Sequence, residues 1–155
     1  MVQIMFFLLC ILEIILECDL SQFIDEKRED FLIRIGKEVF IGEIKGVNTN
    51  IKNEYISQLD VHYHRYMDEI EDEPCEENVH ALLIINPFRM KELKDREPVH
   101  ESQIALAKRN NSLIIETKNL LKLLELFQKG ILSSEDCINI FKSKTGLLSV
   151  DDFEK

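Results

Sequence analysis

The sequence predicts an α/β fold: a mixed sheet of four to five strands flanked by helices, in a single domain spanning 1–155. The composition, 45% apolar and 31% charged, is that of a globular protein and excludes a disordered or collagen-like chain. Two strand-like segments joined by Gly-Lys follow an apolar N-terminal run. Farther along, short apolar runs alternate with helical periodicity, a pattern that requires crossover connections.

The first predicted element is an apolar helix over residues 1–17. Residues 4–12 form an unbroken apolar run. A secretory signal is not indicated, because the first basic residue is Lys27. A membrane span needs about 20 apolar residues, and Glu13 and Glu17 interrupt this stretch. A buried helix is therefore the preferred interpretation, and a membrane anchor is the alternative.

A β-hairpin is expected next, with strands at 31–35 and 39–45. Gly36 and Lys37 fit a two-residue type II′ turn, whose twist matches that of paired strands. This turn pairs the residues on either side of it, and the register carried down both strands sets Asp30 opposite Glu43.

The remaining elements alternate between helices and strands. They divide the domain into a first helix (1–17), a part with the sheet and crossover helices (28–118), and C-terminal helices (119–155). The predicted elements are a helix over about 50–70 that closes at Pro74, a strand at 81–85, a helix at 99–109, a strand at 113–115, a helix capped by Asn119, and a helix capped by Ser133 or Ser134.

The chain is acidic, with 19 Lys and Arg against 29 Asp and Glu and a net charge of −10. This balance argues against a broad basic surface for nucleic acid. Seven of the acids lie within 68–77, so a local basic patch remains possible. The candidates for a phosphate-contacting rim, or alternatively for a mixed solvated face, are Arg89, Lys91, Lys94, Arg96, Lys108 and Arg109.

The four cysteines stand far apart and form no CxxC motif. A zinc site or a disulfide framework is therefore not predicted. Cysteines in a domain large enough to build a core fit a reducing, cytoplasmic setting.

One group of side chains has the types needed for hydrolytic chemistry. Alternation along a strand puts Glu43 and Lys45 on the same face, with Asp30 opposite Glu43. Two facing carboxylates repel unless a cation compensates, and Mg²⁺ is typically bound by one or two carboxylates plus water. These residues suit metal-assisted cleavage of a phosphodiester, with Lys45 orienting the nucleophile or offsetting charge.

Asp30 followed by Ile41-Gly42-Glu43-Ile44-Lys45-Gly46 resembles the PD-(D/E)XK signature of restriction-endonuclease-like nucleases. The resemblance covers about residues 11–130 and implies a restriction-endonuclease-like core. It implies that Asp30 and Glu43 bind Mg²⁺, with Mn²⁺ as a possible substitute, and that Lys45 assists the attacking water.

The resemblance extends to three further positions. It implies that the main-chain carbonyl of Ile44 joins the metal and that an acid on the first helix, Glu13, completes the site. It also implies a catalytic role for Gln58, because some relatives place a glutamine on the helix after the motif. The alternatives are a surface-facing Glu13 and an ordinary helix-flank Gln58.

The acid-x-lysine tripeptide alone has no specificity, since it occurs four times in the chain. Glu43 to Lys45 ends a hairpin strand that faces an acid, whereas Glu116 to Lys118 ends a strand preceded by a helix. The alternative for the first pair is a surface ion pair that binds nothing. His62 and His64 point about 200° apart on a helix and cannot share a metal, so both are expected to be solvated or half-buried.

The first functional hypothesis is a Mg²⁺-dependent endo- or exonuclease that hydrolyses DNA. The alternative is a non-catalytic interaction module on the same fold, acting within a larger assembly in which a homodimer or a protein partner supplies the contact with nucleic acid. A third possibility is a membrane-tethered domain using residues 1–16.

Overall fold

The computed structural model of the protein describes residues 2–18, 30–71 and 76–153. The predicted helix end at Pro74, two members of the acidic run (Asp72 and Glu73), Cys75 and the segment 19–29 lie outside the described residues. Five α-helices and five strands follow one another along the described parts of the chain. In chain order they are α1 (Val2–Leu16), β1 (Phe31–Ile35), β2 (Glu38–Gly46), α2 (Asn53–Ile70), β3 (Asn78–Asn86), α3 (Glu101–Arg109), β4 (Ser112–Glu116), α4 (Thr117–Gln128), α5 (Ser134–Ser143) and β5 (Gly146–Leu147).

The strands form one mixed sheet in the order β1-β2-β3-β4-β5. β1 runs antiparallel to β2, and every later neighbouring pair is parallel. The parallel pairs need crossovers, which α2, α3 and the α4–α5 pair supply. The predicted α/β class, with a mixed five-stranded sheet flanked by helices, is confirmed.

The hairpin has the predicted register. Ile35 pairs with Glu38 and Phe31 pairs with Gly42 at the far end of the ladder. Gly36 has a φ of 61°, and Lys37 is not among the residues with positive φ. Positive φ at the first central position alone is the pattern of the predicted type II′ turn.

The sheet separates two hydrophobic cores. One face packs against α1, α4 and α5 through residues such as Phe31, Phe40 and Leu82. The other face packs against α2 and α3 through Leu32, Ile41 and their neighbours. Adjacent strand residues point to opposite faces, so this alternation fixes which side chains of β2 face α2.

The apolar N-terminal segment is a helix packed in the first core, where Leu8, Leu12 and Ile15 are fully buried. Its outer side exposes Phe6, Phe7 and Ile14. Within the described residues, every helix is too short or too polar to cross a bilayer.

In the C-terminal third, one predicted helix cap is wrong, another is confirmed, and one strand is not predicted by the sequence. Asn119 does not cap α4: the chain passes from β4 directly into the helix, whose cap is Glu116, and the buried Asn119 side chain donates a hydrogen bond to Leu148 O (2.8 Å). Ser133 does cap α5, as predicted, accepting from the Asp136 amide. The segment 119–155, predicted as helices, also contains β5, whose two residues are too few to show alternation.

Candidate active site

The end of β2 carries the predicted acid and lysine on one face of the sheet. Val39 and Ile41 belong to the core beneath α2, and Glu43 and Lys45 continue that alternation. Glu43 is buried, with 1% of its surface exposed, whereas the Lys45 side chain is partly open to solvent. The pair therefore lies where the buried sheet face meets the surface.

Lys45 contacts both carboxylates. Its Nζ donates a hydrogen bond to Glu43 Oε2 at 2.6 Å and lies 4.0 Å from Asp30 Oδ2. The structure thus brings together the three side chains that the hairpin register predicted to converge.

Asp30 stands immediately before β1 and is held by the main chain of β2. Its Oδ2 accepts a hydrogen bond from the Ile44 amide at 2.6 Å. In an extended strand the N–H and C=O of one residue face the same neighbour. The Ile44 carbonyl therefore faces the side on which Asp30 lies, as a carbonyl ligand of the same ion would need to.

A glycine lets the two strands approach each other beside the site. A Cβ on Gly42 would stand 2.0 Å from the ring of Phe31, so a larger residue would displace that ring. Phe31 follows Asp30 and Gly42 precedes Glu43, so this packing lies next to both acids, on the opposite face of the sheet.

Burial raises the pKa of the Glu43 carboxyl above its ordinary value, and the negative charge of Asp30 acts in the same direction. The hydrogen bond and the charge of Lys45 oppose this rise, and so, to a smaller extent, does the neighbouring His62. The site therefore holds a carboxylate whose negative charge is only partly compensated by the protein.

The structure adds a residue that the sequence analysis missed. His62 on α2 is 9% exposed, and its Nδ1 lies 2.6 Å from Glu43 Oε1. The expectation of a solvated or half-buried His62 is wrong. Helical spacing contained a clue, since His62 follows the buried Ile56 and Leu59 on the same stripe.

The two histidines do diverge as predicted. His64 is exposed and its Nε2 lies 3.6 Å from Asp60, one turn back on the same helix. It is therefore a natural control for experiments on His62.

Gln58 and Glu13 are less closely tied to this group. Gln58 is exposed on α2, one turn before His62. Glu13 is half-buried on α1, which packs on the sheet face opposite to α2. A part in the site stays a prediction for both residues.

Part of the predicted basic rim is a mixed charged face. Lys91 pairs with Glu97 and Lys94 with Glu92. Arg89 differs, because its Nε donates to the Asn48 amide oxygen at 2.9 Å. Its side chain also passes 3.9 Å from the position of a Cβ on Gly46, which places an exposed cation beside the end of β2.

Two observations bear on whether these side chains can bind a divalent metal. Across residues 2–18, 30–71 and 76–153, no three His, Cys, Asp or Glu side chains are arranged to hold a metal ion. However, Glu43 Oε1 and His62 Nδ1 are buried and neither has a hydrogen-bond partner, although the two atoms lie 2.6 Å apart. Unpaired buried acceptors beside a second carboxylate fit a cation that is bound by few protein ligands.

Of the comparisons with known proteins, the one with solved structures supports the fold. No protein-family model matches the chain, and no curated protein matches it in sequence. Two structures of the restriction endonuclease FokI are similar to it. One covers 86% of this chain with a TM-score of 0.58 and 14% identity; the other, FokI bound to DNA, covers 89% with a TM-score of 0.60 and 13% identity.

The likeness has a defined extent. This chain spans about a quarter of the FokI chain, 26% in both comparisons. At this level of identity the likeness establishes a restriction-endonuclease-like fold, and function must be argued from the site.

Proposed function

We propose that this restriction-endonuclease-like chain is a divalent-metal-dependent nuclease domain that hydrolyses DNA phosphodiester bonds. One observation carries the proposal: Lys45 Nζ lies within 4.0 Å of the carboxylates of both Asp30 and Glu43. Two acids and a lysine at the partly exposed end of a strand are the groups that metal-assisted phosphodiester hydrolysis requires.

The carboxylates of Asp30 and Glu43 and the carbonyl of Ile44 are the groups that would hold Mg²⁺, or Mn²⁺ in its place. When bound, the metal would polarise the scissile phosphate and make a coordinated water more acidic. Asp30 is pre-oriented by the Ile44 amide, and Glu43 is fixed by burial. Little reorganisation of either carboxylate would then be needed on binding.

Lys45 would act on the reacting groups directly. Its ammonium donates a hydrogen bond to Glu43 and is partly exposed at the open side of the site. There it would orient the attacking water and offset the negative charge that develops on the phosphate.

DNA as the substrate is supported by two points. One of the similar FokI structures is bound to DNA. The exposed Arg89 near the end of β2 is also a cation that would contact the DNA backbone. The acidic net charge of −10 predicts that such binding is weak.

The proposal is tested by incubating the full chain with duplex and single-stranded DNA in Mg²⁺, in Mn²⁺ and in EDTA. Cleavage is expected in either metal, is absent in EDTA, and is lost in Asp30→Asn and Glu43→Gln. Metal-dependent cleavage that survives in both variants would refute the site, because contaminating nuclease or another centre would then account for it.

A second candidate is a non-catalytic interaction module on the same fold. The side of α1 that exposes Phe6, Phe7 and Ile14 favours it, because exposed apolar groups of this kind often serve in association. A folded protein that cleaves no DNA under any of the conditions above would support this module over the nuclease.

A reducing, cytoplasmic setting remains part of the proposal. Cys10 and Cys137 are free thiols, and Cys137 is buried in the first core. Burial raises the pKa of the Cys137 thiol to about 11, so it acts as an apolar core residue and not as a nucleophile.

A further inference from the structure

The contact between α2 and β2 contains a pair of buried polar atoms that make no hydrogen bond. Glu43 Oε1 and His62 Nδ1 are 2.6 Å apart, both are buried, and neither is in a hydrogen bond. The other Glu43 oxygen is already occupied by Lys45. Leaving buried polar groups unpaired costs about 1–3 kcal/mol each, so the arrangement calls for a partner that both atoms can share.

We infer that His62 Nδ1 binds the same divalent metal as Glu43, and that this nitrogen makes the site prefer Mn²⁺ to Mg²⁺. The inference rests on the proposed function and specifies its metal. A cation between the two acceptors would satisfy both, with a small separation of the side chains. Few further protein ligands are needed, because water commonly completes such a coordination sphere.

The metal preference follows from the chemistry of the donors. Mg²⁺ is a hard cation that favours carboxylate, carbonyl and water oxygens. An imidazole nitrogen is a softer donor and favours first-row transition metals. Mn²⁺ accepts oxygen ligands as well, so it suits a site in which His62 and the Glu43 carboxylate are ligands and water fills other positions.

The burial of His62 supports its part in the site. His62 lies on the buried side of α2 with its neighbours Leu59 and Tyr66. A histidine on the solvent side of the helix could not bind a metal ion at Glu43. This packing holds the imidazole at the Glu43 carboxylate and leaves the open side of the site to Asp30, Lys45 and substrate.

The experiment is a calorimetric titration of the full chain with Mn²⁺ and with Mg²⁺. The variants are His62→Gln and, as a matched control on the same helix, His64→Gln. We expect the wild type and His64→Gln to bind Mn²⁺ at least about tenfold more tightly than Mg²⁺. His62→Gln should lose about tenfold or more in Mn²⁺ affinity and much less in Mg²⁺ affinity.

A second readout does not depend on the variant folding. Pulsed electron paramagnetic resonance of the Mn²⁺-loaded wild type should detect coupling to a ¹⁴N nucleus, which a site made of oxygen ligands lacks. A Mn²⁺ to Mg²⁺ affinity ratio that is unchanged in folded His62→Gln, or a bound Mn²⁺ without nitrogen coupling, would overturn the inference.

These outcomes separate the inference from the function on which it rests. Mg²⁺-dependent DNA cleavage with an unchanged affinity ratio would remove His62 from the metal site and leave the nuclease standing. A wild type that neither binds either metal nor cleaves DNA would refute both.

Discussion

Glu43 meets two demands that conflict in a folded protein. It is buried, which disfavours its charge, and it lies beside Asp30, which disfavours it further. Lys45 compensates through one oxygen only. Residues that keep such an arrangement commonly do so for function at a cost in stability, and this view gives two predictions at the scale of single residues.

Lys45→Met is expected to lower the rate of DNA cleavage by about 10²–10³-fold, because it removes the charge that stabilises the transition state. Metal affinity should be retained or increased, since Lys45 no longer occupies Glu43 Oε2. Lys118→Met is the matched control: Lys118 pairs with Glu116 at 2.9 Å in the same acid-x-lysine spacing at the end of β4. Single-turnover kinetics with saturating Mn²⁺ would contradict the assignment if both variants cleaved equally well.

Glu43→Gln is expected to stabilise the metal-free protein at pH 7 by about 1 kcal/mol. The pKa of Glu43 is raised in the folded state. Ionising its carboxyl therefore costs more free energy in the folded protein than in the unfolded chain. Stability is therefore lost as pH rises from the ordinary pKa of 4.5 through the raised value, and the variant escapes this loss.

Urea unfolding in EDTA measures the effect, with Glu116→Gln as the control on the other acid-x-lysine pair. A Glu43→Gln variant less stable than the wild type would mean that the Lys45 ion pair outweighs the burial of Glu43.

At the scale of elements, the β1–β2 hairpin determines the geometry of the site. Its type II′ turn sets the register, and the register brings Asp30 to the main chain of Ile44. Gly42 contributes because the Phe31 ring occupies the space where a side chain would project. The hairpin thus fixes the main-chain positions of the two acids relative to each other.

Gly42→Ala is expected to destabilise the protein by about 1–3 kcal/mol, because its methyl group would overlap the Phe31 ring. Gly46→Ala is a control in the same strand, where the nearest atoms stand 3.9 Å from the added Cβ and the backbone φ is not positive. Chemical denaturation of both variants gives the comparison, and equal stabilities would show that the strands do not depend on this close approach.

The hairpin was also the part of the molecule most open to prediction from sequence. Turn chemistry and alternation act between neighbours in the chain, so Gly36 and the strand pattern were enough to place Asp30, Glu43 and Lys45 together. His62 could not be placed against Glu43 in the same way, because that contact depends on how α2 packs on the sheet. The sequence does not predict β5 for a similar reason: its two residues form a strand only because they pair with β4.

At the scale of the whole molecule, the charge distribution limits how DNA can bind. The net charge is −10, and Lys91 and Lys94 are paired with acids of their own loop. Binding should therefore depend on few phosphate contacts near the site and fall with added salt.

Arg89→Ala is expected to weaken DNA binding several-fold at all sequences and to lower the salt dependence of binding by about one charge. Lys94→Ala, which removes a lysine paired with Glu92, should leave both quantities nearly unchanged. Fluorescence anisotropy with labelled duplex in Ca²⁺, across a salt series, measures them. Equal effects of the two substitutions would mean that binding is spread over the loop and does not centre on Arg89.

The central claim is that Asp30 and Glu43 bind a divalent metal next to Lys45. The most direct measurement is a crystal structure of the protein grown with Mn²⁺ and recorded with anomalous scattering at the manganese edge. The claim predicts an anomalous peak within about 2.5 Å of carboxylate oxygens of both acids. Well-ordered side chains with no peak there, or a peak only elsewhere on the protein, would contradict it.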